Sequence, residues 1–159
     1  MTASLLPRTR VAQKAFFDTN VLVYAHDASA PRKRDIARAL LFDHLGAGSL
    51  CVSTQALSEY YSVLTTRGEV RLGAEAAAWL IEQLPAGVVF APSLDTLRAA
   101  VRRSAGGSLS IWDGLILETA REAGAGLLYT EDRRLLAAVD EARDGITALD
   151  PFREQGVAD

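Results

Sequence analysis

Five short apolar runs, each three or four residues long, are spaced along this chain, and stretches of helical periodicity separate them. The runs cover 15–17, 50–53, 88–90, 127–129 and 146–149. They lack the period-two alternation of strands with one wet face. Apolar runs divided by amphipathic helices constrain the chain to an α/β domain with a mainly parallel sheet covered on both faces.

The intervening segments carry helix signals. Pro31 opens a helix to about Leu45, with Ile36, Leu40, Leu41 and Leu45 on one side and Gly46 and Gly48 ending it. Thr54 is the expected N-cap of a helix through Thr65, with Leu57, Tyr60, Tyr61 and Leu64 as its stripe. Further helices are expected over 73–83, from the cap Ser93 to the loop at 104–108, over 110–123 and over 132–139. At 159 residues the chain is one domain, read as an N-terminal extension over 1–14, expected to be flexible, and a domain over 15–159.

One cysteine, Cys51, cannot close an intramolecular disulfide, and its apolar setting fits a buried, inert thiol. No run approaches the roughly 18 apolar residues of a membrane span, and residues 1–14 lack a secretory apolar core. The expected compartment is the cytoplasm. Twenty acidic side chains against seventeen basic ones give a net charge of −3, which argues against a polyanion bound by bulk charge.

Ligands of open α/β sheets gather beyond the carboxyl ends of the strands. Three acids lie there: Asp18 directly after Phe17, Asp113 in the first turn of the helix from Ser110, and Asp132 just beyond the run at 127–129. Glu59 lies one helical turn after Gln55, on the same face. Each has an ordinary structural explanation. Asp18 suits an Asx turn or helix cap, Asp113 the third position of a capping box, Asp132 a first helical turn, and Glu59 an exposed helix face. In a parallel sheet, however, the three strand-end acids share one side of the domain, and Glu59 can approach them. Carboxylates crowded into one cleft must protonate or bind a cation. With no His or Cys at these points, Mg²⁺ or Mn²⁺ fits better than zinc, and such a site suits attack of water on a phosphodiester.

Four blocks carry a family resemblance: Phe17-Asp18-Thr19-Asn20-Val21-Leu22-Val23-Tyr24, Gln55-Ala56-Leu57-Ser58-Glu59, Ser110-Ile111-Trp112-Asp113-Gly114-Leu115-Ile116 and Leu128-Tyr129-Thr130-Glu131-Asp132. In order and spacing they resemble the PIN domain, and specifically the toxin ribonucleases of VapBC-type toxin–antitoxin pairs. The resemblance implies a three-layer α/β/α sandwich and a Mg²⁺- or Mn²⁺-dependent endoribonuclease. It implies catalytic acids at Asp18, Glu59, Asp113 and Asp132. Asp18 and Asp113 would be direct metal ligands, with Glu59 and Asp132 acting directly or through water. Thr130 and Asn20 would steady the site. Of the adjacent pair Glu131 and Asp132, the family pattern selects Asp132, two residues after Thr130. The resemblance further implies an RNA substrate (single-stranded or tRNA), a cognate antitoxin and a homodimer.

The basic clusters available to RNA are Arg32-Lys33-Arg34 with Arg38, Arg102-Arg103, and Arg133-Arg134; Arg133 directly follows Asp132. His26 reads as a turn residue, and Asp27, Asp35 and Asp43 as solvated or capping. A haloacid-dehalogenase-type phosphatase would need a second Asp where Asn20 stands and a downstream Lys, whereas the only lysines are Lys14 and Lys33. A PIN-like module that binds RNA or a partner without cutting is the other alternative. Net charge counts the strand-end acids as repelling phosphate, whereas with a bound cation they would draw it in.

Overall fold

In the computed structural model, which describes residues 12–66 and 70–153, every strand pairing is parallel. The strands are β1 (Ala15–Phe17), β2 (Leu50–Ser53), β3 (Val89–Phe90), β4 (Leu127–Tyr129) and β5 (Thr147–Leu149). Their order in the sheet is β3-β2-β1-β4-β5. All carboxyl ends therefore lie along one edge. The strand order reverses at β1, whose neighbours are β2 and β4, and this is where open α/β sheets leave a crevice.

The helices are α1 (Thr19–Tyr24), α2 (Pro31–Gly46), α3 (Thr54–Thr66), α4 (Ala74–Glu82), α5 (Leu94–Ala105), α6 (Ile111–Glu122), α7 (Arg133–Ala138) and α8 (Glu141–Asp144). They flank the sheet in the α/β/α arrangement expected from the sequence. Burial of every residue of β1, β2 and β4 explains the unbroken apolar runs. Phe16, Phe17, Leu64, Leu117, Leu128 and Ile146 are among the fully buried side chains. Cys51 is buried and burial pushes its thiol pKa up, away from reactivity.

Several local expectations are corrected. The α3 cap is Ser53, whose Oγ accepts from the Ala56 N–H at 3.0 Å; Thr54 is already helical. On α2 the buried residues are Ala37, Leu40 and His44, while Leu45 is exposed; on α3 Tyr61 is exposed and Ala56 completes the buried stripe. The third strand starts at Val89 rather than Val88, after a 3₁₀ turn over Ala86–Val88. Helices α1 and α8 form in addition to those expected from the sequence. Of the extension assigned to 1–14, residues 1–11 lie outside the described residues. The Lys14 carbonyl already accepts the N–H groups of Gly126 and Leu127, at 3.0 and 3.2 Å.

Helices α5 and α6 pack closely because Gly114 has no side chain: a Cβ there would meet the Ala100 carbonyl oxygen at 3.2 Å. Beside this contact lies an ionic cluster. Arg103 donates to Glu118 and, at 2.6 Å, to Asp144, while Arg121 and Arg143 complete the pairing of the two acids. Burial alone would raise the Asp144 pKa, but Arg143, the Asp140 region and Arg103 hold it well below the usual carboxylate range. Among the described residues no helix is long and apolar enough to cross a membrane.

Candidate active site

Asp18 caps α1 because its backbone is still extended (φ −71°, ψ 157°) as the chain leaves β1, so its Oδ1 can accept the Thr19 N–H at 2.7 Å. Its other oxygen faces β4. Oδ2 accepts from Thr130 Oγ1 at 2.7 Å and from Asn20 Nδ2 at 2.9 Å. Thr130 Oγ1 in turn accepts the Asp132 N–H at 3.0 Å, and Asn20 Oδ1 accepts the Glu131 N–H at 3.3 Å. Asn20 and Thr130 thus tie the ends of β1 and β4 together. Asp18, Asn20 and Thr130 form one hydrogen-bonded unit.

The other acids approach from three helices. Glu59, exposed on α3, accepts from Thr19 Oγ1 at 3.1 Å through Oε2 and from Gln55 Nε2 at 3.1 Å through Oε1. Asp113 sits in the first turn of α6, where its Oδ2 accepts from the N-cap Ser110 Oγ at 2.7 Å. Asp132 caps α7, its Oδ1 accepting the N–H groups of Arg134 and Leu135. Asp18 and Asp132 cap helices and Asp113 bonds the cap residue Ser110, and all three line a common space.

That space is an open cleft of about 690 Å³. Asp18, Asp27, Glu59, Asp113, Glu131 and Asp132 line it, and no basic side chain does among the described residues. Burial pushes the Asp18 pKa up to about 6, against its bonds to Thr130 and Thr19, and the charges of Glu59 and Asp113 add to the rise. An excess of hard oxygen donors, offset by Lys33 at Glu131, fits an oxygen-seeking divalent cation. As the side chains stand, no three His, Cys, Asp or Glu residues among those described converge closely enough to enclose an ion. An ion of the Mg²⁺ type needs only one or two carboxylates, with waters completing its shell.

Arg133 lies outside this cleft. With Arg134 it borders an adjoining groove that also includes Asn20, Ser110, Asp113, Glu131 and Asp132. The other basic clusters are engaged structurally: Lys33 pairs with Glu131, Arg38 donates to the Ala25 carbonyl, and Arg103 serves the ionic cluster. His26 bonds Tyr60 Oη at 2.7 Å and lies away from the acids; Asp27 holds Ser29 and also lines the cleft. Thr19 as the holder of Glu59 was not foreseen. Its place next to Asp18, at the start of a helix packed on α3, is the signal that identifies it.

Comparison with known proteins gives one consistent answer. The chain is similar in structure to FitAB bound to an IR36 DNA fragment (TM-score 0.62, 16% identity, 90% of this chain and 99% of that one). FitAcB from Neisseria gonorrhoeae is similar to the same degree (TM-score 0.62, 18% identity, 87% and 99%). Mycobacterium tuberculosis VapC20, a Sarcin-Ricin loop cleaving toxin, has a TM-score of 0.59 and 23% identity over 79% of this chain and 95% of its own. No curated protein sequence matches the chain. The PIN domain model matches residues 15–142, which include every acid of the cleft. The chain belongs to the PIN domain family.

Proposed function

We propose that this protein is a divalent-cation-dependent endoribonuclease, the toxin of a VapBC-type toxin–antitoxin pair. The observation that carries the reading is the six-carboxylate cleft without a lining basic side chain, set where β1 and β4 end. PIN domain nucleases generally use a divalent metal, and the similar VapC20 is a toxin that cleaves the Sarcin-Ricin loop.

In this reading Asp18 and Asp113 would hold Mg²⁺ or Mn²⁺, with Glu59 and Asp132 holding it directly or through water. When bound, the cation supplies a counter-charge for the phosphodiester and acidifies a water for in-line attack. The protein's own part is orientation. Thr130 and Asn20 fix the Asp18 carboxylate, and Thr19 and Gln55 fix Glu59. Ser110 holds Asp113. The Asp132 carboxylate is turned by its cap of α7. Arg133, which lines the adjoining groove, would meet flanking phosphates of a bound RNA. The nuclease domain is assigned to 15–159, with RNA (single-stranded or tRNA) as substrate, a cognate antitoxin and a second copy of the chain as partners, and the cytoplasm as compartment.

The test is incubation of the purified protein with tRNA and single-stranded RNA in Mn²⁺, with and without EDTA. Cleavage that EDTA abolishes supports the nuclease. RNA left intact in Mn²⁺ sinks it and favours the binding-module alternative.

A further inference from the structure

Glu131 and Asp132 are adjacent and line the same cleft, yet their surroundings separate them. Asp132 turns to the start of α7. Both oxygens of Glu131 are taken: Oε1 accepts from Tyr24 Oη at 2.7 Å and Oε2 from Lys33 Nζ at 2.6 Å. Lys33 Nζ also donates to Tyr24 Oη at 2.9 Å, which closes a three-membered ring of hydrogen bonds. The ammonium lies 4.2 Å from the Tyr24 ring centroid and 5.3 Å from that of Phe152, and those two rings pack at 4.9 Å.

Resting on the functional reading of the cleft, we propose that Lys33 and Tyr24 are positioning residues that hold Glu131 out of the cation site and so limit the carboxylates that can reach the ion. A solvent-exposed ion pair would contribute little here. This one is half-buried on both sides, at 34% and 29% exposure, and is walled by two rings. Withdrawal of Lys33 leaves an unpaired carboxylate next to Asp132, free to turn into the cleft. Carboxylate count is a main determinant of how tightly a hard cation is held. The compact ammonium of Lys33 donates to Glu131 and Tyr24 together while lying near both rings. Only two of the seventeen basic side chains are lysine, the other being Lys14.

The inference is tested by a double-mutant cycle on Mn²⁺ affinity without RNA, read by calorimetry on the full chain. Glu131→Gln alone is expected to change affinity less than about twofold, because Lys33 already neutralises that charge; Lys33→Met is expected to tighten it about tenfold, and Lys33→Met with Glu131→Gln to return it close to wild type, a coupling typical of contacting residues. Long-range charge alone would instead make Glu131→Gln weaken binding by the same factor in both backgrounds, and that additivity overturns the inference. Tyr24→Phe removes one anchor with no change of charge and keeps the proposal falsifiable if Lys33→Met fails to fold. It is expected to tighten Mn²⁺ binding about threefold, within the same range; unchanged affinity in Tyr24→Phe also overturns the inference. Asp18→Asn distinguishes failure of the cation site from failure of this inference. If it binds Mn²⁺ like wild type, the proposed cation site fails and this inference with it. If Asp18→Asn loses binding while the cycle is additive, this inference fails alone.

Discussion

Thr130 Oγ1 donates to Asp18 Oδ2 at 2.7 Å across 112 residues of sequence, and the same hydroxyl accepts the Asp132 N–H. One fully buried side chain thereby sets two of the four candidate acids. Thr130→Val keeps the shape and removes both of these bonds as well as the one the hydroxyl accepts from Asn20 Nδ2 at 3.2 Å. We expect urea unfolding to show a loss of about 1–3 kcal/mol, the usual cost of stranding buried polar partners. Mn²⁺ affinity should fall with it, and Thr130→Ser should retain both properties. A stable Thr130→Val variant with wild-type affinity would remove Thr130 from the site.

Asp18 makes the metal-free protein sensitive to pH. Its folded pKa of about 6 lies above the ordinary 3.8, so between those values the folded state binds the proton more tightly than the unfolded chain. Stability contributed by this group therefore falls as pH rises through that window, by at most about 3 kcal/mol. Asp18→Asn should be more stable than wild type at pH 7.5 without metal, and the two should converge at pH 4. Mn²⁺ should raise the wild-type Tm more at pH 7.5 than at pH 5. Melting curves at these pH values, with EDTA or Mn²⁺, check all three expectations.

The Arg103–Glu118–Asp144 cluster has the opposite dependence. The depressed pKa of Asp144 stabilises the fold above the ordinary carboxylate range and loses that contribution as pH falls below it. Arg103→Met takes one of two arginine partners from each buried acid, leaving Arg121 on Glu118 and Arg143 on Asp144, and should cost about 1–3 kcal/mol. None of Arg103, Glu118 and Asp144 lines the cleft, so Mn²⁺ affinity measured on the folded fraction should stay within about twofold.

Gly114→Val tests the contact that positions Asp113. The side chain must displace the Ala100 backbone, with a carbonyl oxygen 3.2 Å from the Cβ position alone. Overpacking of this kind costs about 1–3 kcal/mol, and it shifts the first turn of α6 where Asp113 stands. Chemical denaturation gives the loss, and Mn²⁺ titration shows whether the site moves with the helix.

The sheet was legible because its strands are buried on both faces: Phe16, Cys51 and Leu128 leave no alternation for a solvated face to impose. The acids were legible because a parallel sheet brings Asp18, Asp113 and Asp132 to one side of the domain, although each also has a local structural use. What the sequence hid was set by tertiary contact. Val21 and Val23 have weak helix propensity, and α1 forms there because Asp18 caps it and Val21 and Leu22 are buried. Ser53, the last residue of β2, is the cap in place of Thr54 because the helix starts one residue earlier than expected. Glu118 sits within Leu115–Ala120, where every residue is buried, a sign of an internal ionic partner that only the packing of Arg103 and Asp144 reveals. Lys33 read as part of a solvated basic cluster; its engagement with Glu131 spans 98 residues and leaves no local trace.

The most direct test of the account compares RNA cleavage by the wild-type protein and Asp113→Asn in Mn²⁺, with both variants shown to melt at the same temperature. Asparagine keeps the shape and can still accept from Ser110, so only the charge at the cleft is lost. The account predicts that cleavage falls by about a hundredfold or more, several kcal/mol of lost transition-state stabilisation. Wild-type cleavage by Asp113→Asn would contradict it.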